Sequence, residues 1–448
     1  MLDTLRRYLR YTSWPIIAAM LALITVGVLA IGVSERADAH MKGFAQKQVV
    51  FAFVGVAVFV AATVVPYQVL GRLAYPLFAL TLALLVLVLF LPAIRHSHRW
   101  IDLKVVLVQP SEIAKISFII LLAWYLRRGE HYRKLLGLAV PFVLTLVPMA
   151  LILIEPDLGT ALLLLPTLYI MLFMAGAKLR HLLGIVAVAT MVVFLPVPHK
   201  LPADMNPAEA LDREALAYWS DSKSGRCVSA APLVKMKNHQ VTRILGWLRQ
   251  DPEDGAAYRK IALGAGYQLR QAKMVMGAGC WTGQHQKSKA YEYFRMLPDD
   301  HTDFIFSVVG GRWGLVGCLG VLFCYAVVFV FGVEIAVITY DPFARLLAVG
   351  VLALLFSQVV INVGMTVGLM PITGMTLPLV SYGGSSLVVN CTALGMLVNV
   401  GQRRPILLGK RPFEFGEKKD KPPAPYGPLA DSDWHAGGAN GVSKPPER

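Results

Sequence analysis

Apolar and polar positions fall in long alternating blocks along this chain of 448 residues. Mostly apolar runs lie near residues 14–33, 46–66, 72–92, 110–126, 135–154, 158–175, 179–198, 303–333, 344–370 and 375–400. A helix needs about 17–25 such residues to cross the hydrocarbon layer of a bilayer. The pattern therefore predicts an all-α integral membrane protein with ten transmembrane helices. The first run, Trp14 to Val33, follows Arg6, Arg7 and Arg10, and Ala37-Asp38-Ala39 resembles a signal-peptidase site. It is long for a signal-peptide core, and further spans follow at once, so it reads as the first membrane helix.

Two blocks break the rhythm. Residues 199–302 form one long polar interval, a large extracytoplasmic loop between helices 7 and 8 if the amino end is cytoplasmic. Within it, residues 203–234 read as an insertion. Val241, Ile244, Leu245 and Leu248 recur at helical spacing with Arg243 and Arg249 off that face, which suits either a lid on the bundle or a docking surface for a partner. The last block, 405–448, is rich in Pro, Gly and charge and predicts a disordered cytoplasmic tail behind a membrane domain spanning 1–404.

Composition agrees with the blocks. At 56% hydrophobic and 16% charged residues, with a mean hydropathy of +0.57, an ordinary soluble protein is excluded. The formal net charge of +15 does not call for nucleic acid, because cytoplasmic loops of membrane proteins collect Lys and Arg. Arg72, Arg127, Arg128, Arg133, Lys134, Lys178, Arg180, Arg345, Arg403 and Arg404 fall in loops that are cytoplasmic when both termini are cytoplasmic. The five cysteines make no metal-binding pattern. Cys318, Cys324 and Cys391 sit in apolar runs, while Cys227 and Cys280 share the polar interval and are either paired or two free thiols.

Charged and irregular residues gather where one set of helix ends is expected. Gln109-Pro110-Ser111-Glu112-Ile113-Ala114-Lys115 opens the fourth run with Pro at a first helical position, and Glu112 and Lys115 share one face. They form either an interfacial ion pair with Lys115 reaching outward or the lining of a polar cavity. Arg95, His96, His98, Arg99 and Trp100 crowd together just before it and suit an anion such as a pyrophosphate; the two histidines lack a third ligand at metal spacing. Asp157, in Glu155-Pro156-Asp157-Leu158-Gly159-Thr160, suits a helix cap. Pro371 to Ser386 holds prolines, glycines and hydroxyls at membrane depth, so its backbone is expected to be non-helical and to line a cavity or lie buried in protein. His301-Thr302-Asp303-Phe304-Ile305-Phe306 places an acid where the polar interval meets the eighth run, either as a cap or as a working group facing water.

Gln109-Pro110-Ser111-Glu112, Pro156-Asp157-Leu158-Gly159-Thr160-Ala161, Tyr267-Gln268-Leu269-Arg270-Gln271, His301 to Phe306 and Gly374 to Ser386 occur in the order of the SEDS family. That family comprises the RodA, FtsW and SpoVE proteins, and the chain resembles it, in a RodA-like form, from about residue 14 to 404. The resemblance implies a peptidoglycan glycosyltransferase of the bacterial cytoplasmic (inner) membrane. Such an enzyme polymerises lipid II, a disaccharide on undecaprenyl pyrophosphate, into glycan strands for elongation or division, beside a class B penicillin-binding protein that crosslinks them. It further implies Asp303 as general base with Glu112 and Lys115 as catalytic partners, and Arg99, Trp100, Arg270, Gln271, Asp157, Ser381, Tyr382 and Ser385 as substrate-binding residues. A divalent cation, Mg or Mn, is compatible with the chemistry, although no metal cage is evident. A non-catalytic scaffold for the crosslinking enzyme and a lipid II flippase are the alternatives. The chain departs from the family at Gly310-Gly311-Arg312-Trp313-Gly314, where paired glutamates are usual, and at Gly277-Ala278-Gly279-Cys280-Trp281-Thr282-Gly283. Restoring the acid by Arg312→Glu is expected to be tolerated.

Overall fold

Leu, Val, Ile, Phe and Ala dominate helices that pack as a bundle. The computed structural model describes residues 11–37, 42–92, 99–102, 107–128, 131–155, 157–194, 196–200, 217–221, 226–230, 247, 266–284 and 301–403. The His96–His98 cluster with Arg95, the amphipathic stretch apart from Trp247, and the tail from Arg404 lie outside these residues, as do the side chains at 192–200 and 217–230.

The helices are α1 (Trp14–Ala37), α2 (Phe44–Val64), α3 (Tyr67–Arg72), α4 (Ala74–Phe90), α5 (Pro110–Leu126), α6 (Ala139–Ile154), α7 (Leu158–Ala175), α8 (Leu179–Phe194), α9 (Tyr267–Ala278), α10 (Ile305–Ile338), α11 (Pro342–Val367) and α12 (Gly384–Gln402). Seven helices among the described residues are long and apolar enough to cross a membrane, and Ala74–Phe90 and Leu179–Met191 are shorter apolar helices. The protein is a multi-pass membrane protein. The tenth apolar run begins near 375 in sequence, yet its helix begins only at Gly384, because Pro371 to Gly383 is non-helical as its prolines and glycines require.

Local chemistry sets the helix ends. Pro342 occupies the first turn of α11 behind Asp341, whose carboxylate accepts from the Phe343 N–H at 3.2 Å. At its other end Gly368 adopts φ +92°, the left-handed cap that ends a helix. α11 is buried on nearly every face and packs against α5, α7, α10 and α12, which makes it the centre of the bundle. α2 packs against α12, and α1 against α10. The outward faces of α2, α4 and α6 carry exposed Val, Leu and Phe, as lipid contact favours.

Short strands accompany the helices. β1 (Ile101–Asp102) pairs antiparallel with β2 (Leu107–Val108) just before α5. β3 (Pro196–Lys200), β4 (Ala217–Asp221) and β5 (Arg226–Ala230) form an antiparallel sheet of order β3-β5-β4, so two strands fall within residues 203–234. The Trp247 indole donates to the Gly368 carbonyl at the end of α11 at 3.0 Å.

α10 is broken at Gly314, with φ +66° and ψ −161°. The N–H groups of Leu315 and Val316 turn to the carbonyls of Cys280 and Trp281, at 2.9 and 3.2 Å. The two stretches that depart from the family pattern are thus packed on each other. A Cβ on Gly279 would lie 1.9 Å from the Gly310 carbonyl oxygen, and one on Gly283 2.1 Å from that of Arg312. A Cβ on Gly310 would lie 2.7 Å from Met276 Cγ of α9, and one on Gly314 2.5 Å from the Trp281 carbonyl. Cys280 is an exposed free thiol.

Candidate active site

One end of the bundle collects the starts of α2, α5, α7, α10 and α12 with the ends of α1, α6 and α11. Asp303 stands there, half-buried, two residues before α10. The N-cap position belongs to Phe304, which makes no side-chain cap bond, so Asp303 is not the cap of this helix. Its segment is held through three successive carbonyls. His301 O accepts from the Tyr382 N–H at 2.9 Å, Thr302 O from the Ser381 hydroxyl, and Asp303 O from the Asn362 amide at 3.0 Å. The Ser381–Tyr382–Gly383 turn and the acid are therefore brought together, as the sequence leads one to expect.

The turn is braced from the far side. Buried Gln48 donates to Ser381 O at 3.2 Å and accepts from the Gly383 N–H at 3.4 Å. The rings of Phe44, His301 and Tyr382 lie mutually within 4.8–5.7 Å, a favourable range for aromatic contacts. Ser385, the next hydroxyl along, donates to Leu107 O at 2.8 Å and accepts from the Gln109 N–H at 3.3 Å. That joins the turn to the start of α5.

From Gln109 the network reaches Asp157. The Gln109 amide donates to Asp157 Oδ2 at 2.9 Å, and the Thr160 hydroxyl does so at 2.9 Å. The Ser111 hydroxyl lies 3.4 Å from the same oxygen, while the Thr160 N–H caps Oδ1 at 3.3 Å. Asp157 is thus the N-cap of α7 and is also surrounded by donors. One turn into α5, Lys115 Nζ meets Glu112 Oε1 at 2.8 Å, with side chains only 2% and 7% exposed. Lys115 does not reach outward to an interface; it turns inward and pairs with Glu112 in a buried position. Glu112 Oε2 is buried and has no hydrogen-bond partner among the described residues.

Glu155, in the turn between α6 and α7, is a residue to which the sequence gives no role. It is fully buried, and neither carboxyl oxygen has a partner among the described residues. Burial, then the neighbouring Asp157, push its pKa up from 4.5 to about 8 against the opposing charge of Arg99. Arg99 directs its Nε to the Glu155 main-chain carbonyl at 2.8 Å. A folded-state pKa above the unfolded value means that stability is lost as pH rises through the window from 4.5 to about 8. Glu155→Gln is expected to flatten that loss, read as the melting temperature on either side of the window; an unchanged pH slope contradicts it.

The remaining candidates are less tightly gathered. Trp100 is partly exposed beside Arg99. Arg270 is exposed on α9, and Gln271 beside it is buried with Oε1 lacking a partner among the described residues; α9 packs on α10 and α11. Arg312 donates from Nη1 to the Gln284 carbonyl at 2.9 Å, while the Gln284 N–H returns to Gly311 O at 3.0 Å. The partner of this cation is a carbonyl, which alters the expectation for Arg312→Glu. A carboxylate cannot donate and would face a main-chain oxygen. We expect a loss of about 1–3 kcal/mol of stability, measured by thermal unfolding in detergent; a melting temperature equal to wild type contradicts the clasp.

Asn362 stands alone within an apolar run and Gln48 ends the polar triplet Gln46-Lys47-Gln48 at the start of one, and neither belongs to a motif that the sequence offers. Their signal was their cost, since a buried amide at membrane depth must find partners.

The family profile of FtsW, RodA and SpoVE, described as "Cell cycle protein", matches residues 12–207 and 214–405. The chain is 31% identical over 389 residues to the peptidoglycan glycosyltransferase MrdB of Escherichia coli (strain K12), covering 87% of this chain and 93% of that protein. It is 30% identical over 429 residues to the peptidoglycan glycosyltransferase RodA of Treponema pallidum (strain Nichols), covering 87% and 97%. Among solved structures, one described as the structural coordination of polymerization and crosslinking by a peptidoglycan synthase complex superposes with a TM-score of 0.65 at 27% identity, covering 87% of this chain and 97% of that one. The crystal structure of the rod shape determining protein RodA of Thermus thermophilus superposes with a TM-score of 0.58 at 25% identity, covering 88% and 97%.

Proposed function

The chain belongs to the FtsW/RodA/SpoVE family of cell cycle proteins, the SEDS family, and is a peptidoglycan glycosyltransferase; from that premise we propose that it polymerises lipid II with Asp303 as general base. The observation that carries this is the fixing of the Asp303 main chain against the 381–383 turn at the same bundle end as the Glu112–Lys115 pair. Chain growth removes a proton from the 4-hydroxyl of the acceptor disaccharide and releases undecaprenyl pyrophosphate from the donor. A half-buried carboxylate can take the proton, and a cation held in a dry pocket offsets the charge of the leaving group. In this reading Lys115 and Arg99 face the phosphates, Glu112 holds Lys115, and Trp100, Arg270, Gln271, Asp157, Ser381, Tyr382 and Ser385 shape the sugar and phosphate subsites.

The membrane arrangement we propose has ten spans. Seven long helices, the two shorter apolar ones and Pro110–Leu126 supply that number. An even count leaves both termini on one side, and Arg72, Arg127, Arg128, Arg133, Arg180 and Arg345 lie at the bundle end away from Asp303. The bias of basic residues makes that end cytoplasmic, which leaves the site on the outer face of the inner membrane. A class B penicillin-binding protein is the proposed partner. Among the described residues no three His, Cys, Asp or Glu side chains gather around one point.

A non-catalytic scaffold is the reading that the departures at Gly311 and Arg312 would favour. Both are engaged by Gln284, so their departure from the family pattern has a structural use that leaves Asp303 untouched. The test is purified protein, with and without its crosslinking partner, given lipid II. Glycan strands support the polymerase. No strands from a folded complex favour the scaffold, and transbilayer movement of lipid II without polymer favours a flippase.

A further inference from the structure

Asn362 lies in α11, fully buried in the most enclosed helix of the bundle. Its single amide nitrogen donates to two carbonyls on different segments: Asp303 O at 3.0 Å and Met375 O. The orientation of the amide follows from those partners, because the flipped group would set Oδ1 against two oxygens. Oδ1 is left buried with no partner among the described residues. A polar side chain this deep, with one end unsatisfied, is costly to keep. A tie between α11 and the segment after it needs only the bond to Met375. The second bond goes to the main chain of the proposed base.

We propose that Asn362 is a positioning residue for the glycosyl transfer, fixing the Asp303 main chain against the 371–383 segment so that the carboxylate meets the acceptor hydroxyl. This rests on the reading of Asp303 as base. Tyr382 and Ser381 hold the carbonyls of His301 and Thr302, and both belong to the segment that Asn362 also grips through Met375. The amide therefore sets the last residue of the clamp, where α10 begins without a side-chain cap. A base displaced by about 1 Å loses rate on the order of 10²-fold with little change in substrate affinity.

The experiment is steady-state polymerisation of lipid II by the full-length protein with its partner, comparing wild type, Asn362→Leu, Asp303→Asn and the double variant, each checked for folding by thermal unfolding. Asn362→Leu keeps the branching of the side chain, with somewhat more bulk, and removes the donors. It is expected to lower kcat by about 10- to 100-fold with KM held within about threefold, and the double variant is expected to be no slower than Asp303→Asn alone. If the Leu variant does not fold, Asn362→Ser, with one shorter donor, is expected to fold and to give an intermediate kcat at unchanged KM. A wild-type kcat in the folded Asn362 variant beside an inactive Asp303→Asn overturns the positioning role and leaves the base standing, as does a loss confined to KM. Full activity in Asp303→Asn overturns both.

Discussion

Asp303→Asn is expected to lower the rate of strand synthesis by on the order of 10²- to 10⁴-fold while leaving the melting temperature close to wild type. The substitution keeps the shape of the side chain and removes its capacity to take a proton. It also spares the ties described for this segment, which run through the main-chain carbonyls of His301, Thr302 and Asp303. Labelled lipid II resolved by gel, with thermal unfolding in parallel, separates the two readouts. Strand yields equal to wild type from the folded variant contradict the assignment.

Lys115→Met is expected to cost about 3–5 kcal/mol of stability. The pair is nearly dry, and removing the cation leaves Glu112 with both oxygens unpaired, since Oε2 already lacks a partner among the described residues. Breaking a buried pair costs more than replacing it outright, because the surviving charge has no water to turn to. The double variant Glu112→Leu/Lys115→Met is therefore expected to regain most of the stability and none of the activity. Thermal unfolding and lipid II turnover measured on both variants test this. Recovery of activity with stability makes the pair structural only.

The helices and the bundle end that holds the site were legible in sequence because lipid imposes a long apolar run, and anything polar near its ends stands out. Glu112, Asp157, Ser381 and Asp303 stand out in that way, and the motif resemblance suggests the chemistry proposed for them. Sequence was less informative about how side chains are paired. That Lys115 stays inward depends on α7 and α11 closing over α5, a packing fact with no local signature. Arg312 is held by a main-chain carbonyl supplied from residue 284 by the turn after α9, a partner that residue type and spacing do not show. Asp303 suited a cap by position, whereas the helix begins two residues later. Gln48 and Asn362 act through carbonyls distant in the chain, which no spacing rule reaches.

The most direct measurement is strand synthesis by Asp303→Ala with and without added formate, a small carboxylate able to enter the space left by the side chain. The account predicts loss of synthesis in the variant and partial recovery when formate is present, with no gain in the wild type. Undiminished synthesis by Asp303→Ala without formate contradicts it.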